Sequence, residues 1–337
     1  MHSEATKKLV DQDFLNRVAE LFSIDAASIQ FVGGFENVVY EGLRHKQPVI
    51  IRIVHNKHRS ADLIKSELHW LQYLQDNGAS VCGPLPSVEG NLVESLVVQG
   101  TPLHISVFTK APGARINISQ ERKNAELFQA WGWATGQLHR LTRSYRPPAE
   151  IIPRGDAVEN FRARLEPFIP ENPELRVKAS AVVTAVAQLP KTEDWYGLIH
   201  SDIHSANFHY DAGRLYIFDF DDCSRHQLAS DIAIPLYYSA WSNDLETQEA
   251  IDEFGQFFAR HFLHGYLKQH TVTQEQIQTI PLLLQFRDCE LLGALREQFG
   301  EQLTERRAAL LKTFETRLLE GKPSVNVDWT RALEEAQ

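Results

Sequence analysis

GLIHSDIHSANFHYDAGRLYIFDFDDC, residues 197–223, sets Asp202, Asn207 and Asp219 around a turn with apolar, β-type residues on either side. NFHY and RLYIFDF are short strand-like runs joined by Asp211-Ala212-Gly213, a turn signal, so they should pair as a small hairpin. Asn207 opens the first run and Asp219 ends the second, and antiparallel pairing brings the two to one end. HSDIH precedes the hairpin and puts Asp202 close by. A carboxylate and an amide oxygen so placed suit a hard cation such as Mg²⁺. The same trio could activate a hydroxyl or merely cap loops, and the rest of the chain has to decide.

A chain of 337 residues, 43% of them hydrophobic and 10% aromatic, can bury a large core and should divide into two lobes or domains. Its formal charge of −10 argues against binding a nucleic-acid backbone, which needs Lys and Arg to displace counterions from phosphates. An acidic surface suits a cationic small molecule instead. Cys82, Cys223 and Cys289 lie far apart and form no CxxC pair, so a reducing compartment is expected. The N-terminus shows no signal-peptide pattern, and no segment approaches the ~18 uninterrupted apolar residues of a membrane span. The expectation is a cytoplasmic protein without a membrane partner.

Upstream, the runs IQFV, NVVYEGL and PVIIRIV, separated by Gly33-Gly34 and by RHKQP, read as a strand meander. SADLIKSELHWLQYLQDNG then takes up helical spacing, with Ser60 as N-cap and Gly78 as stop. Arg52 interrupts an apolar strand, where a buried guanidinium needs an anionic partner. Glu67 shares a helical stripe with Ile64, Leu71 and Leu74 and should face the sheet. The alternative is that Arg52 reaches the strand edge while Glu67 is solvated. Gly33-Gly34 lies between two strands, matching neither a dinucleotide fingerprint nor a Walker A loop. As a hairpin it lets backbone N–H groups approach phosphate oxygens, or it is simply a tight turn.

TPLHISVFTKAPG, residues 101–113, reads as a strand ending at a Pro-Gly break, after which helices dominate. The lobe boundary is expected near Ala111 to Gly113, giving an N-terminal lobe of residues 1–111 and a C-terminal lobe of residues 112–337. RPPAEIIPRGD is a loop or a flap.

In this combination and order the chain resembles the aminoglycoside phosphotransferase and choline kinase superfamily, relatives of the protein kinases. The family's HxDxxxxN loop corresponds to His200, Asp202 and Asn207, and its metal-binding Asp to Asp219. The wording GGFENVVYE and IFDFDDC is most similar to antibiotic kinases of the amicoumacin type. The resemblance implies an α+β, two-lobed fold, with an antiparallel sheet lobe followed by a larger helical lobe. It implies an ATP- and Mg²⁺-dependent transfer of a phosphoryl group to a hydroxyl of a small, amine-bearing molecule, with Asp202 catalytic and Asn207 and Asp219 holding the metal. ATP would be held by Gly33, Gly34, Asn37, Arg52 and Glu67, and its adenine by backbone at Thr109 and Ala111. Asp231 matches an Asp that braces the catalytic loop.

Departures are as informative. Ser201 stands where protein kinases have Arg, DFDD replaces DFG, no APE follows, and Arg52 replaces the usual Lys. These point away from a regulated protein kinase. An antibiotic-inactivating kinase is the leading expectation. A metabolic kinase for homoserine, choline or hydroxylysine, a stress-response Ser/Thr kinase, and a nucleotide-binding scaffold are the alternatives. His200, His204 and His209 match no common zinc spacing. Asp221 and Asp222 either assist the metal or attract a cationic substrate, or are solvated turn carboxylates; Asp288 and Glu290 could offer acceptors to an amine but, like most such charges, are expected on exposed helix faces.

Overall fold

A computed structural model describes residues 2–34, 36–300 and 303–337. Phe35, inside the Gly33-Gly34 loop, lies outside the described residues. The chain forms two compact units, one of residues 1–112 with 145–154, the other of residues 113–144 with 155–337.

In the first unit, helices α1 (His2–Leu9) and α2 (Gln12–Phe22) precede strands β1 (Gln30–Gly33), β2 (Val38–Arg44) and β3 (Gln47–His55). Helix α3 (Ala61–Asp76) and strands β4 (Pro84–Leu85), β5 (Glu94–Val98) and β6 (Thr101–Thr109) follow. Among the described residues these make one antiparallel six-stranded sheet in the order β1-β2-β3-β6-β4, with β5 also on β6. The β2–β3 turn is two residues long, with His45 and Lys46 both at positive φ (51° and 65°), the twist that matches flanking strands.

Strand alternation assigns the faces. Val49, Ile51 and Ile53 of β3 join Leu103, Ile105 and Val107 of β6 and Phe14, Val18 and Phe22 of α2 in one core. Arg52, one step out of phase with those residues, projects to the opposite face. Ser60 caps α3 by accepting the Leu63 N–H, and Gly78 at φ 83° follows its end. The segment at residues 145–154 belongs to this unit although it follows a helix of the other. Tyr145 Oη pairs with His69 Nδ1 at 2.8 Å, and Arg154 Nη1 donates to the Leu63 carbonyl at 3.0 Å.

The second unit holds α4 (Ala125–Thr142), α5 (Ala157–Arg164), α6 (Pro173–Ala187) and strands β7 (Tyr196–Ile199), β8 (Phe208–Asp211), β9 (Arg214–Ile217) and β10 (Ser224–Gln227). Helices α7 (Ser230–Trp241), α8 (Gln248–Tyr266), α9 (Gln274–Ile277), α10 (Ile280–Phe299), α11 (Glu305–Glu320) and α12 (Trp329–Ala336) complete it. Helices α4 and α8 cross at their glycines: a Cβ on Gly132 would lie 1.8 Å from the Phe262 carbonyl oxygen, and one on Gly265 1.8 Å from that of Gln129. That approach packs Trp131 against Phe208, Phe258 and Phe262, fixing β8 to the helical core. None of the described helices is long and apolar enough to cross a membrane.

Candidate active site

The hairpin forms as its sequence dictates, with β8 and β9 paired from Phe208↔Ile217 to Asp211↔Arg214 across a turn at Ala212 (φ 46°) and Gly213 (φ 85°). Pairing continues one step beyond the strands, where the Phe218 N–H donates to the Asn207 carbonyl at 2.9 Å. Asp219 therefore lies just past the strand end and not within it. Its φ of 64° is a left-handed conformation unusual for a residue other than glycine. Asn207 Nδ2 donates to the Asp202 carbonyl at 3.0 Å and to Asp202 Oδ2 at 3.1 Å. With its nitrogen so committed, the amide directs Oδ1 away from Asp202.

Asp231 fixes the loop that carries Asp202. From the first turn of α7, its Oδ2 accepts the His200 N–H at 2.9 Å and its Oδ1 accepts the Ser201 N–H at 2.8 Å. Ser201 takes φ 68°, and its hydroxyl bonds that of Ser224 on β10 at 2.7 Å. His200 is fully buried, meets the Phe218 carbonyl at 3.2 Å and lies 4.4 Å from the Phe220 ring. Burial holds its pKa below the usual imidazole value, as suits a structural neutral histidine.

Asp202 has a denser set of neighbours. Arg287 Nη2 on α10 donates to its Oδ1 at 2.6 Å, while His204 Nε2 lies 3.3 Å from its Oδ2. Burial alone would raise this carboxyl, but the His204 hydrogen bond and the Arg287 charge outweigh it and hold the group below the ordinary carboxylate range. The carboxylate is thus ionised and an acceptor on both oxygens.

In the first unit, Arg52 meets Glu67 in a two-pronged pair, Nη1 to Oε1 at 2.8 Å and Nη2 to Oε2 at 2.7 Å. Both side chains are buried, Glu67 completely, so the solvated alternative does not hold. The guanidinium also lies 5.0 Å from the Phe108 ring centroid. Gly34, at φ 128°, would bring a Cβ within 2.0 Å of the Asn37 carbonyl oxygen, so the loop can pass only without a side chain there. Asn37 is buried, and its Oδ1 has no partner among the described residues. Thr109 ends β6, its N–H bonded to the Gly83 carbonyl at 3.0 Å, and Ala111 follows in the connector.

Residues 28–270 match the model of the family described as "Phosphotransferase enzyme family". The chain belongs to that family. The phosphotransferase is 30% identical to the amicoumacin kinase of Bacillus subtilis (strain 168) over 334 residues, 98% of each chain. It is similar throughout to the solved amicoumacin kinase hAmiN in complex with AMP-PNP, Ca²⁺ and Ami, at 31% identity and TM-score 0.90, covering 98% of this chain and 99% of that one. A microcompartment-associated aminopropanol kinase, 17% identical with TM-score 0.74 over 92% and 95% of the two chains, shares the fold. The phosphotransferase accordingly has the two-lobed, protein-kinase-like architecture expected from the sequence.

The two residues that the HxDxxxxN and DFDD motifs offer for a metal have the chemistry of ligands to a hard divalent cation. The Asp219 carboxylate and the outward Asn207 Oδ1 are oxygen ligands of the kind Mg²⁺ takes, with no imidazole or thiolate in the pair to favour a softer metal.

The helices added what the sequence reading missed. Asp288 is not on an exposed face: it is fully buried and held by Tyr237 Oη at 2.6 Å and by the Arg317 guanidinium. Glu290 is half-buried and bonded to Arg287 Nη1 at 3.0 Å. Arg287 and Tyr238, the aromatic that packs against His204 with centroids 4.8 Å apart and rings tilted 45°, were not anticipated. The i, i+3 spacing of Arg287 and Glu290 was the available signal, but it reads equally as a surface pair. Asp221 is buried, Asp222 exposed, and His209 packs on Phe218.

Proposed function

We propose that this phosphotransferase moves the γ-phosphoryl group of ATP to a hydroxyl of a small, amine-bearing molecule, and that the acceptor is an antibiotic of the amicoumacin type, which the reaction inactivates. The observation that carries the reading is the loop of residues 200–207, held by Asp231 so that an ionised Asp202 stands beside Asn207 and the Asp219 strand end. Identity of 30% to an amicoumacin kinase along 98% of the chain supports the acceptor class.

Phosphoryl transfer has a loose transition state, so the protein mainly positions groups and balances charge. Asp202 accepts the hydrogen bond of the acceptor hydroxyl, aims its oxygen and takes the proton late in transfer. Asn207 and Asp219 are assigned to Mg²⁺, which when bound neutralises charge on the phosphate oxygens. Arg52, oriented by Glu67, is assigned to the α- and β-phosphates. Gly33, Gly34 and Asn37 are assigned to the loop over them, and backbone at Thr109 and Ala111 to adenine. On this reading the first unit, residues 1–112 with 145–154, is the nucleotide lobe and the second unit carries catalysis and acceptor binding.

The test is incubation with Mg²⁺-ATP and amicoumacin, followed by mass spectrometry. The expected product is heavier by ~80 Da, one phosphoryl group, and Asp202→Asn should form almost none. Transfer to simple amino-alcohols but not to amicoumacin would replace the antibiotic with a metabolic acceptor. Labelling of casein instead would favour a protein kinase, and ATP binding without transfer to any hydroxyl would leave a scaffold.

A further inference from the structure

Arg287 stands where an acceptor has to come. Its Nη2 donates to Asp202 Oδ1 at 2.6 Å and to Tyr238 Oη at 2.9 Å, its Nη1 donates to Glu290 Oε2 at 3.0 Å, and the guanidinium lies 5.3 Å from the Tyr238 ring centroid. Since Asn207 Nδ2 already occupies Oδ2, both oxygens of Asp202 are engaged before any hydroxyl arrives. Nε of Arg287 is buried with no partner among the described residues, so this side chain is held by only part of its donor set. Moving it breaks a charge-assisted hydrogen bond to Asp202, so only a group that replaces the charge it takes away can displace it.

Charge decides what can move it. Asp202 and Glu290 share one guanidinium, the His204 imidazole lies 3.3 Å from Asp202 Oδ2, and the Asp222 charge also acts on Glu290, so three carboxylates face a single permanent cation. A neutral alcohol or water offers Asp202 a hydrogen bond in exchange for an ion pair and loses the exchange. An alcohol that also carries an ammonium group adds the missing positive charge, so the guanidinium can leave Asp202 and remain on Glu290 without stranding a carboxylate.

Resting on the phosphotransfer reading above, we propose that Arg287 determines acceptor specificity: it covers Asp202 until an acceptor bearing a positive charge displaces it toward Glu290. Selectivity for cationic alcohols and protection of ATP from water then have one source. In the suppressed reaction a water oxygen bonds to the γ-phosphorus and the bond from that phosphorus to the β–γ bridging oxygen breaks. ADP leaves with the electron pair, and the water proton passes to Asp202 and on to solvent.

The experiment compares the full-length wild type with Arg287→Met and Arg287→Lys. With Mg²⁺-ATP and no acceptor, Arg287→Met should hydrolyse ATP roughly tenfold faster, a modest part of what an uncovered general base can supply. Adding Asp202→Asn should return that rate to the wild-type level, which marks Arg287 as acting through Asp202. The preference in kcat/KM for an amino-alcohol over its N-acetylated counterpart should fall by roughly tenfold, about 1.4 kcal/mol. Arg287→Lys, which keeps the charge but cannot span both carboxylates, should lie between. Should Arg287→Met not fold, Glu290→Gln carries the test, because losing the receiving carboxylate should lower kcat for the amino-alcohol and narrow its preference over the N-acetylated counterpart. Unchanged hydrolysis and unchanged preference in a folded Arg287→Met, or unchanged kcat in Glu290→Gln, would overturn the assignment of Arg287 while phosphotransfer stands. A wild type that phosphorylates no alcohol, and that Asp202→Asn leaves unaltered, overturns both.

Discussion

Asp231 Oδ1 accepts the backbone N–H of Ser201 at 2.8 Å, one residue before Asp202 in the chain. The contact is tertiary, joining the first turn of α7 to a loop thirty positions earlier, and it holds Ser201 at a φ of 68° that the isolated loop would not favour. His139 Nε2 approaches the other oxygen of Asp231 at 3.3 Å, and its Nδ1 is bonded to Tyr266 Oη at 2.8 Å. The loop is thereby tied to α4 and α8, the helices that cross closely at Gly132 and Gly265.

Asp231→Ala should therefore act on both stability and turnover. It strands the buried His200 N–H and the Ser201 N–H, a cost of at least about 2 kcal/mol at the usual penalty for unmet donors. It also frees the loop, and a shift of Asp202 by an ångström is enough to lower kcat by about a hundredfold. Urea unfolding and steady-state kinetics at saturating ATP measure the two separately.

The Arg52–Glu67 pair predicts a different split. Arg52→Met leaves Glu67 as an unpaired carboxylate with no solvent exposure and should cost about 3–5 kcal/mol. Adding Glu67→Leu removes the stranded charge and should recover most of that stability. If Arg52 serves the nucleotide, the double variant stays folded with a KM for ATP still raised. A double variant with a wild-type KM would make the pair purely architectural.

Which parts of this were legible in the sequence follows from the range of the interactions involved. The β8–β9 hairpin was readable because a turn dipeptide and alternation over four residues fix it locally. The Arg52–Glu67 pair was readable because a charge inside an apolar strand demands a partner, and a single helical stripe offered one. Asp202's contact with Arg287 spans 85 positions, and nothing local distinguishes FRDCEL on α10 from a solvated helix turn. Asp288 was misjudged for the same reason: its partners Tyr237 and Arg317 come from α7 and α11, and only packing reveals that they converge. The place of residues 145–154 in the first unit likewise depends on Tyr145 and Arg154 finding α3.

Gly265→Ala should be far more damaging than its chemistry suggests. The new Cβ would lie 1.8 Å from the Gln129 carbonyl oxygen and 2.7 Å from its carbonyl carbon, and backbone cannot rotate aside as a side chain can. Forcing α4 and α8 apart should cost at the upper end of the ~1–3 kcal/mol typical of overpacking, or more. Gly197→Ala on β7 is the control, since its Cβ would meet only Leu228 Cδ2 at 3.6 Å, ordinary contact. Thermal unfolding of the two variants should give a marked fall in Tm for the first and little change for the second.

Acid should loosen the second unit through Asp156. Partial burial would raise this carboxyl, but hydrogen bonds from Lys191 Nζ at 2.6 Å and Tyr196 Oη at 2.7 Å, with the Glu159 N–H at 3.1 Å, bring it down from 3.8 to about 2. A carboxyl whose folded pKa is depressed stabilises the fold in full above its unfolded value. It loses that contribution as pH falls through the folded value, here between roughly 4 and 2. The same side chain caps α5 by accepting the Val158 and Glu159 N–H groups, so protonation weakens a helix start as well as an ion pair. Asp156→Asn keeps an oxygen for the cap but carries no charge. Its stability deficit against wild type, read from urea midpoints, should be largest near pH 6 and shrink steadily toward pH 2. No deficit at any pH in that range would mean that Asp156 contributes through its cap alone.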